Sequence, residues 1–280
     1  LPLASIDKDD YAGFCDFLES ACGIVLGDNK QYLVQSRLGR LMADTGAVSL
    51  GDLVARLRRE TDGGPLRERV IEAMTTNETL WFRDRYPFDI LGRQVLPRLA
   101  SEGRSPVRIW SAACSSGQEP YSISMTVEDF LAAQPGALRD VRILATDVSP
   151  AVLADARAAS YEADALSRGL PEDYRRRYFE PDPAAGSGRW RLREPVRRRV
   201  RFSQFNLLDS YAPLGQFDVI FCRNVLIYFS TLLKTDILSR MAAILAPGGY
   251  LFLGASESVS RYSDAFETER CCTGSVFRRK

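Results

Sequence analysis

Polar residues recur just after the apolar stretches of this chain. Glu119 comes soon after residues 107–110, Asp147 after 141–145, Asn206 after 200–205, and the pair Arg223 and Asn224 after Phe217–Cys222. Read as parallel strands, these stretches would present their carboxyl ends to one crevice, where open α/β sheets take ligands. Each residue alone has a plain structural use: Asp147 in a helix-capping turn, Asn206 in a turn, Glu119 at the favourable end of a helix dipole. Four such positions in step point instead to a binding crevice.

The residue types narrow the ligand. A carboxylate after the second strand suits ribose hydroxyls, because it accepts several hydrogen bonds. A carboxylate at the start of the first helix repels a phosphate from its usual seat and suits an ammonium group. Residues 112–117 are all small and allow a ligand close against the backbone, but no GxGxxG is present, so a dinucleotide fingerprint is not the reading. A ligand with a ribose, no phosphate and an amino-acid tail is S-adenosylmethionine. The chain has no histidine, which removes histidine triads, histidine bases and histidine metal ligands together. Its six cysteines form no CxxC pair and no zinc spacing and read as reduced thiols of a cytosolic protein. No metal is expected.

The elements that must position these groups follow from periodicity. Up to residue 75 the chain reads as four helices, with apolar stripes at Tyr11, Phe14, Leu18 and Ala21; Val34, Leu38, Leu41 and Met42; Leu50, Leu53, Val54 and Leu57; and Leu66, Val70 and Met74. The second starts near Asp28, Ser49 with Asp52 resembles a capping box, and Pro65 opens the fourth. Arg37 and Arg40 share a face and Arg56, Arg58 and Arg59 cluster, as a solvated surface or a dock for an acidic partner. Phe88, Leu91, Val95 and Leu99 mark a helix under the sheet. From residue 107 strands and helices alternate, implying a mostly parallel sheet. Pro247, Gly248 and Gly249 read as a turn into a strand over 250–254, and two short strands near the end read as an antiparallel hairpin. Residues 168–201 break the alternation with eleven arginines against five acidic residues; Trp190 and Leu192 lie on alternating positions of a turn-rich β insertion. A formal net charge of +1 and 45% hydrophobic residues favour a globular chain over a bulk polyanion binder. No apolar run is long enough for a membrane span and no signal peptide is visible.

MTTNETLWFRD (74–84), WSAACSSGQEPYS (110–122), ATDVS (145–149), NLLD (206–209), FDVIFCRNVLIYF (217–229) and LAPGGYLFLGASES (245–258) resemble, in order, the chemotaxis receptor methyltransferases of the CheR type. IVLGDNKQYLVQSRL (24–38) in the helical leader is also similar. The resemblance implies a class I S-adenosylmethionine-dependent methyltransferase: α/β, Rossmann-like, with a mostly parallel sheet and an antiparallel C-terminal hairpin. It divides the chain into a helical domain over 1–75, a linker carrying a cofactor-contact motif over 76–93, and a methyltransferase domain over 94–280 with a β-subdomain at 175–201. Carried over by position, Asn77, Thr79 and Arg83 contact the cofactor from the linker. Glu119 holds its methionine end, Asp147 its ribose, and Asn206, Leu207, Arg223 and Asn224 flank the adenosine. Arg83 and Tyr228 stand near the transferred methyl.

The implied reaction is methylation of glutamate side chains on the cytoplasmic helices of chemoreceptors by a cytoplasmic, monomeric enzyme with no nucleic-acid partner. It is an in-line attack of a carboxylate on the methyl carbon, leaving S-adenosylhomocysteine. Carboxylates are ionised at neutral pH, so no general base is required. Two departures stand out. Ala255 occupies a position where many members have histidine, and the insertion lacks a clear glycine-rich match to the subdomain that can hold a receptor's C-terminal tether. Two rivals are a nucleic-acid methyltransferase using the arginine-rich insertion and a non-catalytic cofactor-sensing module. Against the first, CRNVLIYF stands where an Asn/Asp-Pro-Pro-aromatic motif would follow the fourth strand. Retained Arg83 and Tyr228 argue against the second.

Overall fold

A computed structural model describes residues 6–61, 63–184 and 188–280. Four helices open the chain: α1 (Lys8–Cys22), α2 (Gln31–Thr45), α3 (Leu50–Arg59) and α4 (Pro65–Met74). Their stripes meet in one core around Phe14, Leu18, Leu38, Leu53, Leu57 and Val70. Asp7 and Ser49 cap α1 and α3 through their side chains, and left-handed Gly23 and Gly46 end α1 and α2. The second helix starts at Gln31, three residues after Asp28.

α5 (Tyr86–Ile90), a π-helical turn over Leu91–Val95 and α6 (Leu96–Ser101) replace the single regular helix expected here. Pro97 has no N–H to give the preceding turn, and the amide of Leu96 bonds instead to Leu91. Phe88, Leu91, Val95 and Leu99 are all buried as the stripe requires.

The remaining elements are β1 (Val107–Ala112), α7 (Gln118–Ala133), β2 (Val141–Asp147), α8 (Pro150–Ala158), β3 (Ser160–Glu162), α9 (Ala163–Ser167), α10 (Glu172–Tyr178), β4 (Phe179–Pro181), β5 (Arg189–Leu192), α11 (Glu194–Arg197), β6 (Val200–Gln204), β7 (Phe217–Cys222), α12 (Thr231–Ile244), β8 (Leu245–Leu253), β9 (Phe266–Cys271) and β10 (Gly274–Arg279). The main sheet runs β6-β2-β1-β7-β8-β10-β9. Its first five strands are parallel, and β10 and β9 close it as an antiparallel hairpin. Parallel strands buried on both faces need apolar residues throughout, and Phe217–Cys222 is buried at every position. One face packs around Phe88, Tyr121, Phe221 and Phe252, the other around Trp110, Phe217, Leu238 and Met241.

Two differences from the expected layout have local causes. Residues 247–249 are not a turn before the strand. β8 begins at Leu245 and carries them as an irregularity against β7, with Gly248 at φ +74°. The three-stranded insertion sheet, ordered β3-β5-β4, takes Ser160–Glu162 from ahead of the expected 175–201 segment, and β6 lies in the main sheet as expected of residues 200–205. Residues 185–187, within the expected turn-rich insertion, lie outside the described residues.

The insertion's arginines are largely engaged within the chain. Arg175 pairs with Glu172 and stacks on Trp190 at 4.8 Å, Arg177 pairs with Asp129, Arg189 with Glu162, and Arg199 with Glu128 at 2.5 Å. The hydroxyls of Tyr174 and Tyr178 also donate to Asp129, latching α10 to α7. In the helical leader, Arg37 donates to the carbonyls of Met74 and Thr75 at 2.6 and 3.0 Å, and Arg56 donates to Thr45 and Gly46 carbonyls. Both arginines satisfy helix-end carbonyls rather than standing free on a docking face.

Candidate functional site

The loop from β1 to α7 is the floor of the site. Ala113, Ser115 and Gly117 alternate in left-handed conformation, at φ +56°, +51° and +94°. For a residue with a side chain this costs about 1–2 kcal/mol, so the loop must be held from outside. Asp147 at the end of β2 does so: its Oδ2 accepts from the Ser115 amide at 2.8 Å, while the Cys114 amide donates to the Thr146 carbonyl at 2.9 Å. Gly117 is required on two counts. Its φ favours glycine, and a Cβ there would lie 3.0 Å from the Ala156 Cβ and 3.1 Å from the Tyr161 hydroxyl.

Asp147 uses its other oxygen to accept from the Ser149 amide at 3.0 Å. Each carboxylate oxygen keeps further acceptor capacity for ligand hydroxyls. Burial raises the pKa of Asp147, with the amides of Ser149, Ser115 and Val148 pulling the other way.

Glu119, in the first turn of α7, is the second acidic group. Ser111 donates its hydroxyl to Glu119 at 2.8 Å, and the Arg223 guanidinium donates at 3.1 Å. Burial raises the Glu119 pKa, opposed by Arg223, Ser111 and Arg83. Arg223, whose side chain is only 1% exposed, also pairs with Asp84 at 2.6 Å and donates to the Arg83 carbonyl at 2.9 Å. Asp84, Arg223 and Glu119 thus form a chain of two carboxylates and one cation. The trio carries a net negative charge beside the cavity, the electrostatics an ammonium group needs. Arg223 Nε is buried without a partner among the described residues, leaving one spare donor in the same trio.

The turn before α5 is strained in the same way as the floor. Phe82, Asp84 and Arg85 have φ of +49°, +65° and +52°. Arg223, just past the end of β7, ties this turn down, and the Phe82 amide donates to Ser122 at 3.1 Å. Arg83 is left facing the cavity, with Nη1 donating to the Glu78 carbonyl at 3.3 Å. Asp84, the next residue, pairs with Arg223.

After β7, Asn224 is left-handed at φ +58°, and Glu257 fixes it. The Glu257 carboxylate accepts from the amides of Asn224 at 2.8 Å, Gly254 at 2.7 Å and Ile227 at 3.2 Å. This sets the short 3₁₀ turn Leu226–Tyr228 and with it the Tyr228 side chain at the cavity. Asn206 bridges inward: its amide donates to the Ala21 carbonyl at 2.8 Å and its carbonyl accepts from Leu208 at 3.1 Å. The helical leader roofs the cavity. The Val25 amide donates to the Tyr228 carbonyl at 2.9 Å, and Ile24, Val25, Leu26, Lys30 and Leu33 line that side.

The result is one cavity of about 340 Å³. It brings together all ten sequence candidates: Asn77, Thr79, Arg83, Glu119, Asp147, Asn206, Leu207, Arg223, Asn224 and Tyr228. Sequence reasoning missed Asp84, Ser111 and Glu257, which act through other residues. It also missed the roof from α1 to α2, where the only signal was family-like sequence over 24–38. S-adenosylmethionine fits the donor set: spare acceptors on Asp147 for ribose hydroxyls, an electronegative seat at Glu119 for an ammonium, and small residues at 113–115 against which a ligand can lie close.

Comparison with known proteins agrees. The family profile for the CheR methyltransferase SAM binding domain matches residues 77–274, and that for the CheR methyltransferase all-alpha domain matches residues 9–75. Chemotaxis protein methyltransferase 1 of Pseudomonas aeruginosa is 53% identical over 273 residues, covering 97% of this chain and 98% of that protein. Chemotaxis protein methyltransferase 1 of Vibrio cholerae is 51% identical over 278 residues, covering 99% and 98%. The chemotaxis protein methyltransferase of Salmonella typhimurium is 36% identical over 251 residues, covering 89% and 84%. The chain belongs to the CheR family and is an S-adenosylmethionine-dependent methyltransferase of chemotaxis.

Proposed function

We propose that this enzyme methylates glutamate side chains on the cytoplasmic helices of chemoreceptors, giving glutamyl methyl esters that adjust receptor signalling. The observation that carries the reading is the meeting of Arg83 and Tyr228 in the same cavity as Glu119 and Asp147. Bound S-adenosylmethionine supplies an electrophilic methyl group on a positively charged sulfur. Glu119 holds the ammonium of its amino-acid tail, and Asp147 accepts from its ribose hydroxyls. Asn77 and Thr79 contact it from the linker, and Asn206, Leu207, Arg223 and Asn224 flank the adenosine side. The Arg223 guanidinium works chiefly by holding Glu119 and the Arg83 turn.

Arg83 orients the incoming carboxylate. A bidentate grip would blunt that nucleophile, so the guanidinium serves best beside the reacting oxygen. Tyr228, in its 3₁₀ turn, lines the same cavity and is the second group near the transferred methyl. A glutamate is already ionised at neutral pH, which suits a chain with no histidine. The main contribution of the protein is alignment. Ala255 stands in the loop that Glu257 organises, and the cavity is lined without it, which supports tolerance of the position.

The finer reading is of a cytoplasmic monomer built from the helical domain 1–75, the linker 76–93 and the methyltransferase domain 94–280, with the β insertion as the candidate seat for a receptor's C-terminal tether. No helix among the described residues is long and apolar enough to cross a membrane. The test is incubation with methyl-labelled cofactor and receptor cytoplasmic fragments, with and without their last residues. Base-labile label on the fragments supports methyl-ester formation, and faster labelling of fragments with intact ends supports the tether. Label that resists base, or no label, refutes the reading.

A further inference from the structure

We propose that the uncovered sheet face over β2 and β6 docks a partner protein through an acidic amphipathic helix. The surface lies toward the amino ends of those strands, whereas Asp147, at the far end of β2, belongs to the cavity. Of their lining residues the two share Phe205 alone. The surface does not depend on which residue is methylated.

Parallel strands are joined by crossovers that are usually helices laid over the sheet. Between β6 and β7 the chain has only residues 205–216, with a single 3₁₀ turn at Ala212–Leu214. The face that a crossover helix covers is therefore open over β2 and the edge strand β6. Register puts Arg108 beside Arg142, and Leu144 beside Arg201, on that face. The opposite face is filled: Phe202 packs on Tyr121 of α7 and clusters with Ala145 and Leu153 of α8. Parallel strands ordinarily have both faces covered. Here the Arg142 side chain is 69% exposed, and Leu144 and Phe205 are half-buried. These residues line a concavity of about 1320 Å³, wider than the roughly 300–1,000 Å³ of small-molecule sites. A helix is about 10 Å across and neighbouring strands are about 4.8 Å apart, so one helix spans β2 and β6.

The charge around this concavity selects the helix. Arg142, Arg198 and Arg199 are paired with Asp140, Glu194 and Glu128. Arg139 and Arg201 also line it and form no ion pair among the described residues. Arg108 donates to the Leu214 carbonyl at 2.8 Å and stands 4.8 Å over the Phe217 ring, so its charge meets no carboxylate there. Asp209 is the one lining carboxylate outside those pairs. Three guanidinium charges against one carboxylate, around a floor of Leu144, Phe205 and Leu214, complement an apolar helical stripe flanked by glutamate or aspartate. A nucleic acid would gain nothing from the apolar floor, and half of the arginines are already paired.

The test uses the full chain and a fluorescein-labelled, side-chain-stapled helical peptide with leucines at i, i+3, i+4 and i+7 and glutamates on either side of that stripe. A second peptide has the same composition with the leucines scattered around the helix. Anisotropy should show saturable binding of the first peptide to wild type and much weaker binding of the second. Arg139→Glu and Arg201→Glu combined should weaken binding of the first at least about tenfold, because like charges would then face each other. Calorimetry should give the double variant an unchanged Kd for S-adenosylmethionine, which also shows that it is folded. No binding to wild type, or binding that survives the double variant, overturns the proposal. Equal affinity for the two peptides overturns it as well, since charge alone would then be read. Displacement of the peptide by duplex DNA at a lower concentration than by unlabelled peptide would make this a nucleic-acid surface instead. Sedimentation showing that wild type self-associates and the double variant does not would give the face to a second copy of the chain, and would equally overturn it.

Discussion

Arg223 should be the most sensitive single position in the site, for reasons that separate charge from geometry. Its side chain is 1% exposed and sits 2.6 Å from Asp84 and 3.1 Å from Glu119, with a further bond to the Arg83 carbonyl. Replacing it with methionine keeps most of the volume and leaves two carboxylates facing each other without a cation. Breaking a buried pair by removing one partner typically costs about 3–5 kcal/mol. Part of that is relieved because Asp84 is 33% exposed, whereas Glu119 is 13% exposed and must take up a proton or remain unpaired. Arg223→Met should therefore lose about 3 kcal/mol in urea denaturation, and its affinity for S-adenosylmethionine should fall by more than tenfold. Arg223→Lys restores the charge, but a point ammonium cannot bridge two carboxylates and a carbonyl as the planar fork does. It should recover most of the stability and little of kcat, because the Arg83 turn is no longer pinned. A stability loss below about 1 kcal/mol in Arg223→Met, or full activity in Arg223→Lys, would refute the reasoning.

Other expectations follow from the same geometry. Gly117→Ala must hold a side chain at φ +94° and push against Ala156 and Tyr161; it should cost at least about 1–2 kcal/mol and weaken cofactor binding, as measured by denaturation and calorimetry. The Glu119 pKa lies above the ordinary glutamate value of 4.5, because burial outweighs Arg223. Cofactor Kd should consequently rise as pH falls through that raised value, and Glu119→Gln should flatten the profile. The fold responds with the opposite sign: a raised carboxyl pKa penalises the folded state when ionised, so Glu119 protonation on lowering the pH adds to the stability of the cofactor-free protein. Trp81 is fully buried, edge-on to Tyr161 at 4.9 Å and to Phe179 at 5.3 Å. Trp81→Ala should cost roughly 3–5 kcal/mol and raise protease sensitivity of the β insertion, since that ring is what the linker packs against it.

The parts of this molecule legible in its sequence are those governed by local periodicity. Phe217–Cys222 is apolar at nearly every position because both faces of the strand are covered, and the stripes of α1 to α3 match their buried positions; in α4 Val70 and Met74 are buried as expected, but Ile71 is buried where Leu66 was expected and Leu66 is only partly covered. The recurrence of Glu119, Asp147, Asn206 and Arg223 after strands was readable because parallel strands all end at one edge. What was not legible depends on pairs brought together by the fold. Asp84 and Arg223 are 139 positions apart, so nothing local marks Asp84 as more than the neighbour of Arg83. Arg37 looked like surface charge because its partners, the carbonyls ending α4, lie 37 and 38 positions away. β3 is a three-residue strand, Ser-Tyr-Glu, with no pattern of its own; it forms because β5 is there to pair with it. Pro247, Gly248 and Gly249 have turn chemistry, and whether they turn or bulge is decided by the register of β8 against β7.

Where the methyl group goes is the central claim, and peptide mass spectrometry of a receptor cytoplasmic fragment incubated with the wild-type enzyme and S-adenosylmethionine tests it most directly. The account predicts methyl esters on glutamate side chains, removed by mild base, with Asp147→Ala and Arg83→Ala each strongly reduced. Methylation at another residue type, base-stable label, or unchanged transfer in both variants would contradict it.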